Sequence, residues 1–141
     1  MSIALASDLP LVPLEGVLIE QVLVNLLENS LRYSPGDAPL EIAARSQEEG
    51  VVVRVADRGK GLAPGEEARI FDKLYRGSAS VGNPERGTGL GLAIARAIVN
   101  AHGGRIWAER RAGGGTAVSF TLPVKGSPPD IDHADEAELA F

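Results

Sequence analysis

Two stretches of this chain alternate apolar and polar residues with a period of two and then fold back on themselves. Residues 38–59, APLEIAARSQEEGVVVRVADRG, run through Leu40, Ile42 and Ala44, turn at QEEG, and return through Val51, Val53 and Val55. Residues 103–123, GGRIWAERRAGGGTAVSFTLP, repeat the scheme around a turn at Gly113–Gly115. Alternation broken by turn residues predicts two antiparallel hairpins. Each has one apolar face, which has to be covered by another layer. The cover is written in the helical periods elsewhere. One helix is predicted from about Glu15 to Arg32 and stops at Ser34-Pro35-Gly36. A second spans 89–102, with Leu90, Ala93, Ile94, Ala97, Ile98 and Ala101 expected on its buried face, and a short one lies around Glu66–Phe71. SIALAS near the start alternates and adds an edge strand. The expectation is an α+β fold: a two-layer α/β sandwich, with a mixed, mostly antiparallel sheet of about five strands and about three helices on one face.

Composition excludes several classes. There is no Cys, so neither a disulfide framework nor a thiolate metal site is expected. No apolar run approaches the roughly 18 residues that cross a bilayer, and MSIALASDLP has no basic start of a secretory signal. The expectation is an intracellular domain without direct membrane contact. The net charge of −5 is carried by the tail, because Asp130, Asp132, Asp135, Glu136 and Glu138 have no Lys or Arg beside them. Residues 1–129 are neutral overall, which argues against a nucleic-acid partner. KGSPPD at 125–130 marks an exit. Residues 1–124 are expected to form the domain, and 125–141 an acidic, disordered tail.

Three places carry candidate chemistry. In the first helix Ile19, Val22, Leu23, Leu26 and Ser30 form the packing face, while Asn25, Asn29 and Arg32 share the adjoining flank. Such a strip is either a solvated flank or a site. Two mid-helix Asn residues lower helix propensity, and amide oxygens are hard ligands suited to Mg²⁺. In the second strand Asp57 is in phase with Val51, Val53 and Val55, so its carboxylate points inward, and Gly59 and Gly61 follow. It either caps a tight turn or accepts from one exocyclic amino group. Thr116 is in phase with Val118, Phe120 and Leu122 and faces the same way. Finally, RGTGLGLAI places Gly87, Gly89 and Gly91 at a helix start, bracketed by Lys73, Arg76 and Arg86. It is neither a dinucleotide fingerprint nor a P-loop, but its backbone N–H groups can hold a phosphate.

These places occur in a specific order. NLLENSLRYS, DRGKGL, FDKLYR and GTGLGLAI resemble the N box, first glycine box, phenylalanine box and second glycine box of sensor histidine kinases. The resemblance is to their ATP-binding catalytic domain, which has the Bergerat fold of the GHKL ATPases, and it covers residues from about 10 to 124. LEGVLIEQVLVNLLENSLRYSP, IFDKLYRG and AIVNAHGG, with the acidic end, look most like the potassium-responsive Kdp-type sensor kinases. The resemblance implies roles for individual residues. Asp57 would accept from the adenine amino group of ATP, helped by Thr116 and a water. Asn29 would ligate Mg²⁺, with Asn25 beside it, Arg32 would meet the phosphates, and Tyr33 would lie near ribose or phosphate. Gly59, Gly61, Leu62, Lys73, Gly87, Thr88, Gly89, Leu90, Gly91 and Leu92 would complete the nucleotide site. Residues 72–86 would be a lid, mobile without nucleotide, from which Arg76 reaches the γ-phosphate. Asn25, Arg32 and Arg76 are the residues expected to serve catalysis.

The resemblance also implies a phosphoacceptor histidine on a separate dimerisation domain, a response regulator beyond it, and a cytoplasmic position in a membrane-anchored bacterial kinase. Only His102 and His133 occur here, and neither lies in a heptad helix beside an acidic neighbour. Docking of the phosphoacceptor domain is expected on an apolar surface around Phe71 and Leu74. Chaperone, gyrase or mismatch-repair ATPases carry a water-activating Glu where Asn25 stands, and Asn is no general base at neutral pH. A nucleotide-binding regulator without phosphotransfer is a further alternative. An anti-sigma-type serine kinase is disfavoured by the phenylalanine box.

Overall fold

The computed structural model describes residues 2–10, 12, 14–33, 39–48, 50–72 and 90–124, except for the side chain of Tyr33. Lys73, Arg76, Arg86, Gly87, Thr88, Gly89, His133 and the tail at 125–141 lie outside the described residues, as does most of the expected lid. The elements in chain order are β1 (Ser2–Leu5), α1 (Gly16–Tyr33), β2 (Glu41–Gln47), β3 (Gly50–Ala56), α2 (Glu66–Arg69), α3 (Gly91–Ala101), β4 (Ile106–Arg110) and β5 (Thr116–Pro123). They form a five-stranded sheet of order β1-β2-β3-β5-β4. β1 runs parallel to β2, and every other pairing is antiparallel. This is the α+β architecture expected from the two hairpins.

Both hairpins close where the turn residues stand. The first pairs Gln47 with Gly50, and the second pairs Arg110 with Thr116. β5 joins the two hairpins, because it pairs with β3 on one side and β4 on the other. Its register aligns Val118 with Val55 and Ala108, and Phe120 with Val53 and Ile106. One face of three strands is thereby made apolar. The chain enters β4 through Gly104, where a Cβ would lie 1.9 Å from the Thr121 carbonyl oxygen, so only glycine fits.

The helices cover that face. One core joins Leu18, Ile19, Val22 and Leu26 of α1 to Ala95, Ile98 and Val99 of α3 and to Val55, Val118, Phe120 and Leu122 of the sheet. The expected packing face of α1 is observed, with Leu23 only half-buried. α3 differs. Ala97 and Ala101 are exposed, while the deepest positions are Ala95, Ile98 and Val99. Ala93, Ile94 and Ile98 of the expected face are buried and Leu90 packs against the core, so the buried stripe keeps most of that face and extends past it to Leu92, Ala95 and Val99. Alanine on several sides gave the pattern no contrast, and α3 is covered by α1 as well as by the sheet. Ile70 and Phe71, just after α2, are also core residues. Phe71 therefore holds the fold together and is not open for docking, contrary to expectation, while Leu74 lies outside the described residues.

Polar contacts lock α1 against α3. The Asn25 amide nitrogen donates to the Gly91 carbonyl at 3.0 Å. At the opposite end, the Glu15 backbone N–H donates to His102 Nε2 at 2.9 Å. The start of α1 thus meets the end of α3, and the two helices run antiparallel. Phe120 is fully buried at the centre of this assembly. Phe120→Ala is expected to lower unfolding free energy by about 3–5 kcal/mol in a denaturant titration.

Candidate functional site

The end of β3 holds the first part of the site. Asp57, one residue past the strand, is only 4% exposed. Its Oδ1 accepts the Gly59 N–H at 2.9 Å and the Thr116 N–H at 3.3 Å. Oδ2 has no partner among the described residues. The turn-capping reading of Asp57 is met by Oδ1 through the Gly59 N–H. Thr116 stands opposite and is also buried. Burial of an acceptor with spare capacity is costly unless something donates to it.

Gly61, with φ 77°, packs its Cα against Gly115, whose carbonyl oxygen would be 3.0 Å from a Cβ at position 61. A cavity of about 390 Å³ lies between this loop and the β4–β5 turn, lined by Lys60, Gly61, Leu62, Arg110, Arg111 and Gly115 among others. Leu62 also packs against the core, as does Leu90.

The second part is the polar flank of α1. Asn25 is buried, and both ends of its amide have a partner: the oxygen accepts from Gln21 Nε2 at 2.8 Å and the nitrogen donates to the Gly91 carbonyl. It ties the start of α3 to α1. Asn29, one turn further on, is half-buried and its amide has no partner among the described residues. Arg32, half-buried, pairs loosely with the exposed Glu28 at 3.8 Å. Such a surface pair contributes a few tenths of a kcal/mol at most, so the guanidinium is free to move to a better anion.

The third part is the start of α3. Gly91 begins the helix, and Leu92 is buried beneath it. The structure therefore brings Asn25 to Gly91 and Asp57 to Gly59 and Thr116. No hydrogen bond or ion pair joins these two groups among the described residues.

The end of β3, the flank of α1 and the start of α3 thus present an acceptor, an amide without a partner among the described residues, a weakly paired guanidinium and a helix start. A family model matches residues 15–126 of the chain. It is that of the histidine kinase-, DNA gyrase B- and HSP90-like ATPases, and the chain belongs to this family. Among the relatives of this ATPase domain is the sensor protein KdpD of Escherichia coli (strain K12), 44% identical over 91% of this chain. The chain spans only 14% of KdpD's length. The catalytic domain of histidine kinase ThkA shares the fold with a TM-score of 0.74 and 29% identity, over 87% of this chain and 77% of that one. Full-length ShkA, solved with AMPPNP, is similar at a TM-score of 0.69 and 28% identity, over 89% of this chain and 26% of that one.

Sequence reading missed the supports of the site. Arg58 Nη1 donates to the carbonyls of Ala112 and Gly114 at 2.8 and 3.0 Å. Arg111 donates to the Asp57 carbonyl at 2.9 Å and to Glu41 at 3.0 Å. The only local signal was a pair of arginines before three glycines. Asn25→Ala would leave the Gly91 carbonyl without its side-chain donor, and a loss of about 1–2 kcal/mol in unfolding free energy is expected by thermal or chemical denaturation.

Proposed function

We propose that this domain binds Mg-ATP and presents its γ-phosphate to a histidine on a separate phosphoacceptor domain of a two-component sensor kinase, from which a response regulator takes it. The observation that carries the reading is Asp57: a buried carboxylate with one oxygen held by backbone and the other left for a ligand. A single amino group such as that of adenine is the matching donor. Guanine presents a carbonyl there and would face the carboxylate lone pair to lone pair. Thr116, Gly59, Gly61 and Leu62 would shape the base pocket. Leu90, Gly91 and Leu92, with the glycines preceding them, would receive the phosphates at the start of α3. Arg32, Tyr33, Lys73 and Arg76 would complete the phosphate site.

Asn29 fits a hard cation, since its amide is half-buried and unengaged by the described residues. No group of three or more His, Cys, Asp or Glu suited to a metal occurs among them. One amide is enough where nucleotide phosphates and waters supply the other ligands, as is usual for Mg²⁺. The cation would neutralise charge developing on the phosphates. This chain's own residues orient the nucleotide and fix the helix that receives it.

His102 does not suit a phosphoacceptor. It is only 6% exposed; its Nδ1 donates to the Ile98 carbonyl at 2.9 Å while Nε2 accepts from Glu15. The acceptor would therefore come from elsewhere in the protein. A hydrolytic ATPase is less well supported, because the Asn25 amide is committed to Gly91 and Gln21, and Glu28 is exposed beside Arg32. No helix among the described residues is long and apolar enough to cross a membrane. We place the domain on the cytoplasmic side of a membrane-anchored kinase, as its relatedness to sensor kinases implies.

Asp57→Asn retains an oxygen for Gly59 and Thr116 but turns one acceptor into a donor. Calorimetry is expected to show ATP affinity falling at least about tenfold with the fold intact, and unchanged affinity would sink the adenine assignment. Asn29→Asp should alter the Mg²⁺ dependence of binding far more than binding of nucleotide without metal. With γ-labelled ATP this chain alone should remain unlabelled and hydrolyse slowly, whereas a matching phosphoacceptor domain added in trans should be labelled on its histidine. Labelling of this chain lost in His102→Gln would overturn that division of labour.

A further inference from the structure

The rung that ends the β3–β5 ladder is irregular. In an antiparallel hydrogen-bonded pair, two residues exchange both backbone bonds. Asp57 and Thr116 occupy such a position, and the Asp57 N–H donates to the Thr116 carbonyl at 2.9 Å. The return bond does not go to the Asp57 carbonyl. The Thr116 N–H donates instead to the Asp57 carboxylate Oδ1 at 3.3 Å. The side chain has replaced its own backbone in the ladder. That substitution leaves a carbonyl next to a buried residue in need of a donor. Arg111 supplies it: Nη1 donates to the Asp57 carbonyl at 2.9 Å, and Nη2 to Glu41 at 3.0 Å. Its side chain is only 9% exposed, so it is fixed in place between β2 and the end of β3.

We propose that Arg111 is a positioning residue that sets the selectivity of the purine site: by holding the Asp57 carbonyl out of the ladder, it keeps the Asp57 carboxylate bound to Thr116 and aimed at the amino group of the base. This rests on the adenine reading of the pocket. In a regular rung the donor for the Asp57 carbonyl is the Thr116 N–H. Taking it would restore the regular rung and release Oδ1, leaving the carboxylate held by Gly59 alone. The surroundings reinforce the same geometry. Gly115 has φ 104°, and a Cβ there would lie 2.1 Å from the Asp57 carbonyl oxygen, so the turn can approach only as glycine. Arg58 fastens that turn from the other side through Ala112 and Gly114. Lys in place of Arg111 offers one compact ammonium, without the fork that reaches two acceptors in fixed directions.

The test compares ATP with purine riboside 5′-triphosphate, which lacks only the amino group, by calorimetry on the whole chain. Wild type should prefer ATP by about tenfold or more, the contribution of one charge-assisted hydrogen bond. Asp57→Asn should abolish that preference. Arg111→Ala should reduce the preference to within about threefold of the Asp57→Asn value, Arg111→Lys should restore part of it, and the double variant should add no further loss. Thermal melts accompany each variant, and Arg111→Lys serves if Arg111→Ala does not fold. If the Arg111 variants weaken both nucleotides equally and keep the wild-type ratio, the residue is merely structural and the proposal fails. If wild type itself shows no preference while binding both, the adenine reading fails and takes this proposal with it.

Discussion

The buried Asp57 carboxylate is the constraint around which the rest of the site is arranged. A charged group at 4% exposure persists only if donors meet it. Here two backbone N–H groups do so, from Gly59 and Thr116. Accepting the second one displaces the normal ladder bond, and the displaced carbonyl calls for Arg111. Arg111 in turn needs a counter-charge, which Glu41 supplies from β2. The turn carrying Arg111 has to come close to Asp57, and three glycines with positive φ allow it. One inward carboxylate thus dictates a chain of local choices across β2, β3 and the β4–β5 turn.

The second frame is the antiparallel pair of α1 and α3. Their apolar contact alone permits sliding and rotation. The Asn25–Gly91 and Glu15–His102 hydrogen bonds remove that freedom, because each would leave a poorly solvated polar group unpaired if the helices shifted by a turn. The consequence for function is that the start of α3 is held beside the asparagine flank of α1. A phosphate received at that helix start would therefore lie near Asn29. Asn25 acts through this geometry, with both its amide oxygen and its amide nitrogen already held by partners on α1 and α3.

The architecture was largely legible before the coordinates. Strand alternation gave both hairpins and the edge strand, and the period of Ile19, Val22 and Leu26 gave the packing of α1. The place of Asp57 at the end of an inward face followed from its phase with Val55, and it is buried as that phase requires. Motif order led to the ATPase family that the family model matches. For α3 the phasing placed Ala93, Ile94 and Ile98 inside, as observed, but missed that Ala97 and Ala101 are exposed and that Ala95 and Val99 are buried, because alanine and valine beyond the expected face left neighbours rather than pattern to choose its edge. Phe71 was read as part of an apolar surface for a partner, whereas it is buried as a member of the core.

Local sequence thus determined which segments are strands and helices and which way Asp57, Thr116 and the α1 face point, since these follow from periods of two and 3.6 residues within a few positions of each other. The tertiary structure decided what each polar group does. Arg111 meets the Asp57 carbonyl across 54 residues, Thr116 meets its carboxylate across 59, Asn25 reaches Gly91 across 66, and Glu15 reaches His102 across 87. Such partners share no period and no spacing. They are chosen when the hydrophobic layers close, because each buried donor and acceptor then has to be satisfied by whatever the fold has brought beside it.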